Sequence, residues 1–373
     1  MSLENKLATF VSVDILDILR VLALFFVFML HVTLFDGADY AVAQIFKDYP
    51  YLFFLKTPAW AGTWIFYCLS GYFVGYGYLT KKYDFATWTG IFRFYKVKFG
   101  KIYVPSLVVV LFVSLALNPN FFSSYEAIVF LRRLVFCTYY AKPDPAAIGA
   151  VWFVSTLMWL YVFSPLFVRC LDKTISHVSL YKIFLCVLLS GLFTRILMCV
   201  LNIEWSRFVY SSVLGNTDLF IAGIISSFIV VKMDISRLGI YRTIVSWGFV
   251  IFILINICVQ WKFAVLYQYV FPTIYVGFVT LLIATYNDIN FIGRGNKNII
   301  FVISKIKQYG FYFYLFHSPV ALVLCKYIGG ETSLEQYFKC VICVGIITFL
   351  LAKFFVLLEK FLRNRILCKS IWH

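Results

Sequence analysis

Charge is scarce in this chain. Asp, Glu, Lys and Arg make up 13% of its 373 residues, against about 25% in an average soluble domain. Acidic residues are the scarcer sign, 17 against 33 basic. Internal repeats and low-complexity tracts are missing, and so is the polar composition of a disordered chain. Ten Cys are present, at 68, 137, 170, 186, 199, 258, 325, 340, 343 and 368, but they are scattered. Only Cys340 and Cys343 form a Cys-x-x-Cys, at the start of an apolar stretch and without a second pair. That excludes a disulfide-stapled secreted domain and leaves a zinc or redox site short of ligands. No metal is expected. Strict polar/apolar alternation over ten residues is also missing, which excludes an outer-membrane barrel.

What the chain has is apolar surface. Hydrophobic residues make up 62%, with 42 Phe, 26 Tyr and 9 Trp. Water-soluble folds do not hide that much, so the chain is read as an integral membrane protein. A spanning helix needs about 20 apolar residues. Ten stretches qualify: 15–35, 58–79, 102–118, 150–168, 180–201, 213–231, 243–260, 266–286, 309–328 and 338–358. The expected fold is an all-α bundle of about ten transmembrane helices in a single domain covering 1–373, with no appended soluble domain. The longest connections are 36–57, 80–101 and 119–149. Glu4, Asp14 and Asp17 against Lys6 are the wrong charges for a signal-peptide n-region, and no small-residue cleavage site follows His31. The first helix is therefore expected to be retained.

The net charge of +16 is a matter of topology. With the N-terminus in the cytoplasm, 21 Lys and Arg fall on inside segments and 9 on outside ones, and Arg20, Arg195 and Lys353 lie within helices. This positive-inside bias predicts that both termini are cytoplasmic. Anionic lipid headgroups account for the basic excess, and no nucleic-acid partner is expected.

A charge at the membrane centre costs at least ~2.5 kcal/mol, so each intramembrane ionisable residue is a candidate site. In RVLALFFVFMLH, Arg20 and His31 are eleven residues apart. That is close to three helical turns, which places both side chains on one face, about 16 Å apart along the axis. Taken singly, Arg20 could snorkel to headgroups and His31 could satisfy a neighbour. Asp17 can pair with Arg20 at i, i+3 or remain solvated. Arg195 and Asp218 lie on sequential helices of opposite direction and can form a buried ion pair, which could be purely structural. His317 precedes Ser318 and Pro319, and its alternative is a hydrogen bond within the broken turn. The segment KKYDFATWTGIFRFYKVKFGKIYVP carries six basic residues, Arg93, Lys98 and Lys101 among them. Cations at a helix entrance suit a polyphosphate ligand, although anionic lipid is an equal alternative.

At these residues the sequence resembles acyltransferase family 3, a family of polytopic membrane enzymes. Its most specific mark, Arg-x10-His on the first helix preceded by aspartate, reads here as Asp17, Arg20 and His31. Further matches follow in order: SGYFVGY at 70–76; Lys98, Lys101 and Pro105, with Lys in the places of a paired Arg; VWFV at 151–154, including Trp152, with Tyr161 and Pro165; FYLFHSPV, including His317; and Glu359 followed by Lys360. Some members carry a Glu where this chain has Leu157. The resemblance implies transfer of an acyl group, usually acetyl, from cytoplasmic acyl-CoA to a hydroxyl of a cell-envelope or exported glycan: O-antigen, exopolysaccharide or a lipid-linked sugar. It implies residence in a bacterial cytoplasmic (inner) membrane. His31 is then expected as general base and Arg20 as a contact for CoA or a stabiliser of charge. Lys98, Lys101 and Arg93 are expected to hold the CoA phosphates. Asp17, Arg195, Asp218, His317 and Trp152 are expected to support the site. No bound cofactor is expected, acyl-CoA being a co-substrate. A transporter or flippase of a lipid-linked sugar is the alternative, but the related halves common in transporters are not seen. A non-catalytic scaffold would tolerate change at His31.

Overall fold

The protein is described from a computed structural model covering residues 14–34, 58, 60–117, 151–203, 209–232, 240–259, 263, 265–286, 297–328 and 334–365. Among these residues the chain is helical, and each of the ten expected spans is a helix. The helices are α1 (Ile15–Leu34), α2 (Ala61–Leu79), α3 (Trp88–Lys98), α4 (Val104–Leu117), α5 (Val151–Ile175), α6 (Leu180–Val200), α7 (Val213–Lys232), α8 (Arg242–Val259), α9 (Phe271–Tyr286), α10 (Lys297–Ile328) and α11 (Leu334–Arg365). Single π-helical turns, Phe99–Tyr103 and Leu266–Val270, lead directly into α4 and α9. The expected loops 36–57 and 119–149 lie outside the described residues.

Three expectations are corrected. Segment 80–101 is not a loop: Thr87 caps α3 by accepting from the Gly90 amide at 3.2 Å, and Asp84 accepts from the Thr87 hydroxyl at 2.5 Å. The capping is visible in the sequence, but the density of basic residues masks the helix behind a topogenic loop. The ninth expected span is part of α10, which starts at Lys297 rather than 309, and the tenth is part of α11, which runs from Leu334 to Arg365 rather than over 338–358. In α10 the added stretch 297–308 mixes apolar Ile299–Ile303 with Lys297, Lys305 and Lys307, and in α11 polar residues at both ends continue the helix.

Among the described residues, seven helices are long and apolar enough to cross a membrane: α1, α5, α6, α7, α8, the 266–286 unit and α11. This is an integral, multi-pass membrane protein. Helix α2 falls below that standard because it is rich in Tyr and Gly, but 13 of its 19 residues are buried, so its sides face protein and not lipid. Small residues let it approach its neighbours. A side chain at Gly71 would run into the Phe220 carbonyl oxygen of α7, and one at Gly223 of α7 would run into that of Cys68. Gly71 and Gly75 repeat at a four-residue spacing, as do Gly223 and Ser227, a small-xxx-small match between two helices. The SGYFVGY segment is thus a packing surface.

Contacts fix the relative directions. Asp17 and His31 of α1 meet Lys307 and His317 of α10 in the same order, so those helices run parallel. Helices α2, α5 and α7 run the other way together. Their first turns gather around Tyr210, which contacts Trp60 at 5.7 Å and Trp152 at 4.6 Å between ring centroids. At their last turns, Asp172 accepts from the Tyr78 hydroxyl at 2.9 Å and from the Lys232 ammonium at 2.7 Å.

Candidate functional site

Helix α1 is unbroken from Ile15 to Leu34, so Arg20 and His31 do sit on one helix at its two ends. Asp14 starts it by accepting from the Asp17 amide at 2.9 Å. The buried Asp17 carboxylate accepts from Arg20 at 2.8 Å and from Lys307 of α10 at 2.9 Å. The guanidinium of Arg20 also lies 5.1 Å from the centre of the Phe73 ring. The Asp17–Arg20 pair follows from their spacing. Lys307 was not anticipated, because its partner is 290 residues away.

At the other end of α1, His31 meets His317. The rings sit edge to face with centroids 4.6 Å apart, and His317 Nε2 lies 3.0 Å from His31 Nδ1. His317 is 1% exposed and its Nδ1 lies 2.5 Å from the Tyr314 carbonyl oxygen. A carbonyl only accepts, so Nδ1 of His317 carries the hydrogen and Nε2 is an acceptor. His31 Nδ1 faces that acceptor and the Val27 carbonyl oxygen at 2.9 Å. Two acceptors on one nitrogen assign the His31 hydrogen to Nδ1, which leaves the basic lone pair on Nε2. The turn before Pro319 does bond His317 internally, as the structural alternative requires, and the same ring still reaches His31.

Trp152 is buried near this end. Its neighbour Phe153 contacts Tyr314 at 5.4 Å, and Tyr314 contacts His317 at 5.5 Å. Trp152 thus connects to the histidine pair through intervening rings. Trp60 stacks on Tyr267 at 4.8 Å, and the Tyr210 hydroxyl meets the Thr63 hydroxyl at 3.2 Å. One end of the bundle is accordingly aromatic and carries the histidines.

The opposite end is cationic. Lys98 is half-buried on the inner face of α3, with its ammonium 4.6 Å from the Tyr161 ring centre, 5.7 Å from Tyr83 and 5.8 Å from Phe94. Burial among these rings, then the nearby charges of Lys101 and Lys82, lowers its pKa to about 7. Arg93 does not join this group. At 100° per residue it lies about 140° from Lys98 around the helix and is exposed.

Arg195 and Asp218 form a separate centre. The guanidinium donates to both Asp218 oxygens at 2.9 and 2.7 Å, to the carbonyl oxygens of Gly215 and Tyr269 at 2.9 and 3.3 Å, and to the Thr273 hydroxyl at 2.6 Å. Five bonds use its five N–H groups. A side chain at Gly191 would run into Asp218, so glycine there lets α6 close on α7. The arrangement ties α6, α7 and the 266–286 unit together. Glu359 lies within α11, where it accepts from the Tyr312 hydroxyl at 3.0 Å.

A model of the acyltransferase family 3 domain, described as an acyltransferase domain, matches residues 13–356, nearly the whole chain. No curated protein and no solved structure matches it.

Proposed function

Since this chain belongs to acyltransferase family 3, whose members are membrane enzymes transferring acyl groups other than amino-acyl groups, we propose that it moves an acetyl group from cytoplasmic acyl-CoA to a hydroxyl of a cell-envelope or exported glycan. The observation that carries this reading is the histidine pair at the aromatic end of the helix that holds Arg20 at the cationic end. The transporter alternative is not favoured, because the family is one of acyl transfer.

The chemistry follows from the lone pair. His31 Nε2 takes the proton of the acceptor hydroxyl as its oxygen bonds to the acyl carbonyl carbon. The carbonyl oxygen gains negative charge, the oxyanion collapses as the carbon–sulfur bond breaks, and the proton held on His31 passes to the sulfur, so that CoA leaves as the thiol. His317 Nε2 and the Val27 carbonyl hold the His31 N–H, so the imidazolium formed on proton uptake is steadied by two acceptors. Aromatic faces near the aromatic end suit a sugar ring, which presents apolar C–H faces. Deleting the protein and weighing the envelope glycans by mass spectrometry tests the reaction directly: loss of one acetyl mass increment is expected, and unchanged glycans would reject it.

In this reading the protein resides in a bacterial inner membrane, and the basic bias supports an orientation with the cationic end on the cytoplasmic side. Single cysteines at exposed Ser176 and Asn202, on a Cys-free background, report it. An impermeant thiol reagent is expected to label position 202 and spare position 176 in intact cells. The reverse pattern would overturn the orientation.

Lys98 and Lys101 form the donor end of this reading. Charge-assisted hydrogen bonds contribute about 1.5–3 kcal/mol each, so Lys98→Gln with Lys101→Gln is expected to raise the KM for acyl-CoA about tenfold or more, with a smaller effect on kcat. The Lys98 ammonium is present below about pH 7 and lost above it. Acyl-CoA binding is therefore expected to weaken between pH 6 and 8, and Lys98→Arg is expected to flatten that dependence. An unchanged KM in the double variant returns these lysines to lipid contact.

A further inference from the structure

Helix α3 has two faces. Ile91 and Phe94 are buried, and Phe94 packs against Phe85, Tyr83 and Tyr161. On the other side, Trp88 and Phe92 stand one turn apart, 87% and 71% exposed. Lys96 stands one turn further and Arg93 beside it, both exposed. The helix carries no acidic residue, and exposed Lys81 and Lys82 lie just before it. An exposed Trp and Phe beside a row of cations is the composition of a helix lying in a lipid interface, where the indole finds both apolar and polar surroundings.

Continuity places α3 at that interface. It passes without a linker through Phe99–Tyr103 into α4, whose Val104, Val108, Leu111 and Leu115 form an exposed apolar strip at helical spacing. The strip suits lipid contact, and the exposed apolar residues of α3 and α4 lie along one continuous helical run. Water on both faces of this junction would leave Trp88 and Phe92 without an apolar neighbour at the edge of the bilayer.

We propose that α3 is a monotopic anchor, with Trp88 and Phe92 set into the leaflet at the cationic end of the bundle and Arg93 and Lys96 holding its anionic phospholipid headgroups. Arg93 then belongs to a lipid site, while Lys98, on the inner face, remains with the protein. The assignment does not depend on the acyl-transfer reading.

The test uses the full chain in nanodiscs of phosphatidylcholine, with or without phosphatidylglycerol. Trp residues are replaced by 5-fluorotryptophan, and the Trp88 fluorine resonance is assigned by its loss in Trp88→Phe. A nitroxide carried on the lipid chain is expected to broaden that resonance, and a water-soluble gadolinium chelate is expected to spare it. Adding phosphatidylglycerol is expected to shift it in the native sequence but not in Arg93→Gln/Lys96→Gln. Broadening by the chelate with no response to the lipid nitroxide would overturn the anchor. An equal phosphatidylglycerol shift with and without the two cations would overturn the headgroup assignment.

Discussion

His31→Ala is expected to leave the protein inserted and abundant while glycan acylation falls about 10²-fold or more, the usual contribution of a positioned base. Two features separate the effects. Alanine is the best helix former, and His31 lies in the last turn of α1, beyond the tight contact of Ala23 and Val27 with Gly62. Insertion therefore loses little. The chemistry loses the lone pair that the tautomer assignment places on His31 Nε2. His317 acts through His31, so its replacements grade differently. His317→Leu removes one of the two acceptors of the His31 N–H, whereas His317→Gln keeps an oxygen that can accept. The glutamine variant is expected to retain more activity and to alter the pH profile of kcat more than the amount of folded protein. Acyl content per unit of membrane protein decides the matter. His31→Ala at normal abundance with native acylation would remove the base from the mechanism.

The part of the site carried by one helix is legible in the chain. Arg20, Asp17 and His31 follow from 3.6-residue periodicity, because α1 is continuous and no tertiary contact is needed to align them. Arg195 and Asp218 are legible for a related reason: a charge in lipid needs a partner, and adjacent antiparallel spans supply the nearest one. The links that close the site are not legible. Lys307 meets Asp17 across 290 residues, and His317 meets His31 across 286. Composition names such residues as candidates without saying which helices run side by side. Segment 80–101 misleads for the opposite reason. A helix at an interface is built from the same cations and aromatics that mark a topogenic loop, and its inner face, with Ile91 and Phe94 buried and Lys98 half-buried, reveals the difference. That face also divides Arg93 from Lys98, which a count of basic residues treats as equivalent.

Removing one partner of the Arg195–Asp218 pair is expected to be the most destabilising change in the protein. Arg195 is 1% exposed and spends all five N–H groups on α7, the Tyr269 carbonyl, Thr273 and Asp218. In Asp218→Leu the guanidinium stays buried with its counter-charge gone, and breaking a buried pair in this way costs about 3–5 kcal/mol. Arg195→Met leaves the carboxylate stranded at a similar cost. Replacing both, with Met and Leu, removes the two charges together, and apolar substitutes for a buried pair are often neutral or better. The double variant is therefore expected to recover most of the stability lost by either single change, giving a large coupling between the sites. Thermal unfolding followed by size-exclusion of the detergent-solubilised protein measures this, and acylation per folded molecule is read beside it. Recovery of stability with recovery of acylation identifies the pair as a tie between α6, α7 and the 266–286 unit. Recovery of stability with acylation still absent would instead show that the charges serve the substrate. Single variants as stable as the native protein would show that the buried pair holds nothing together.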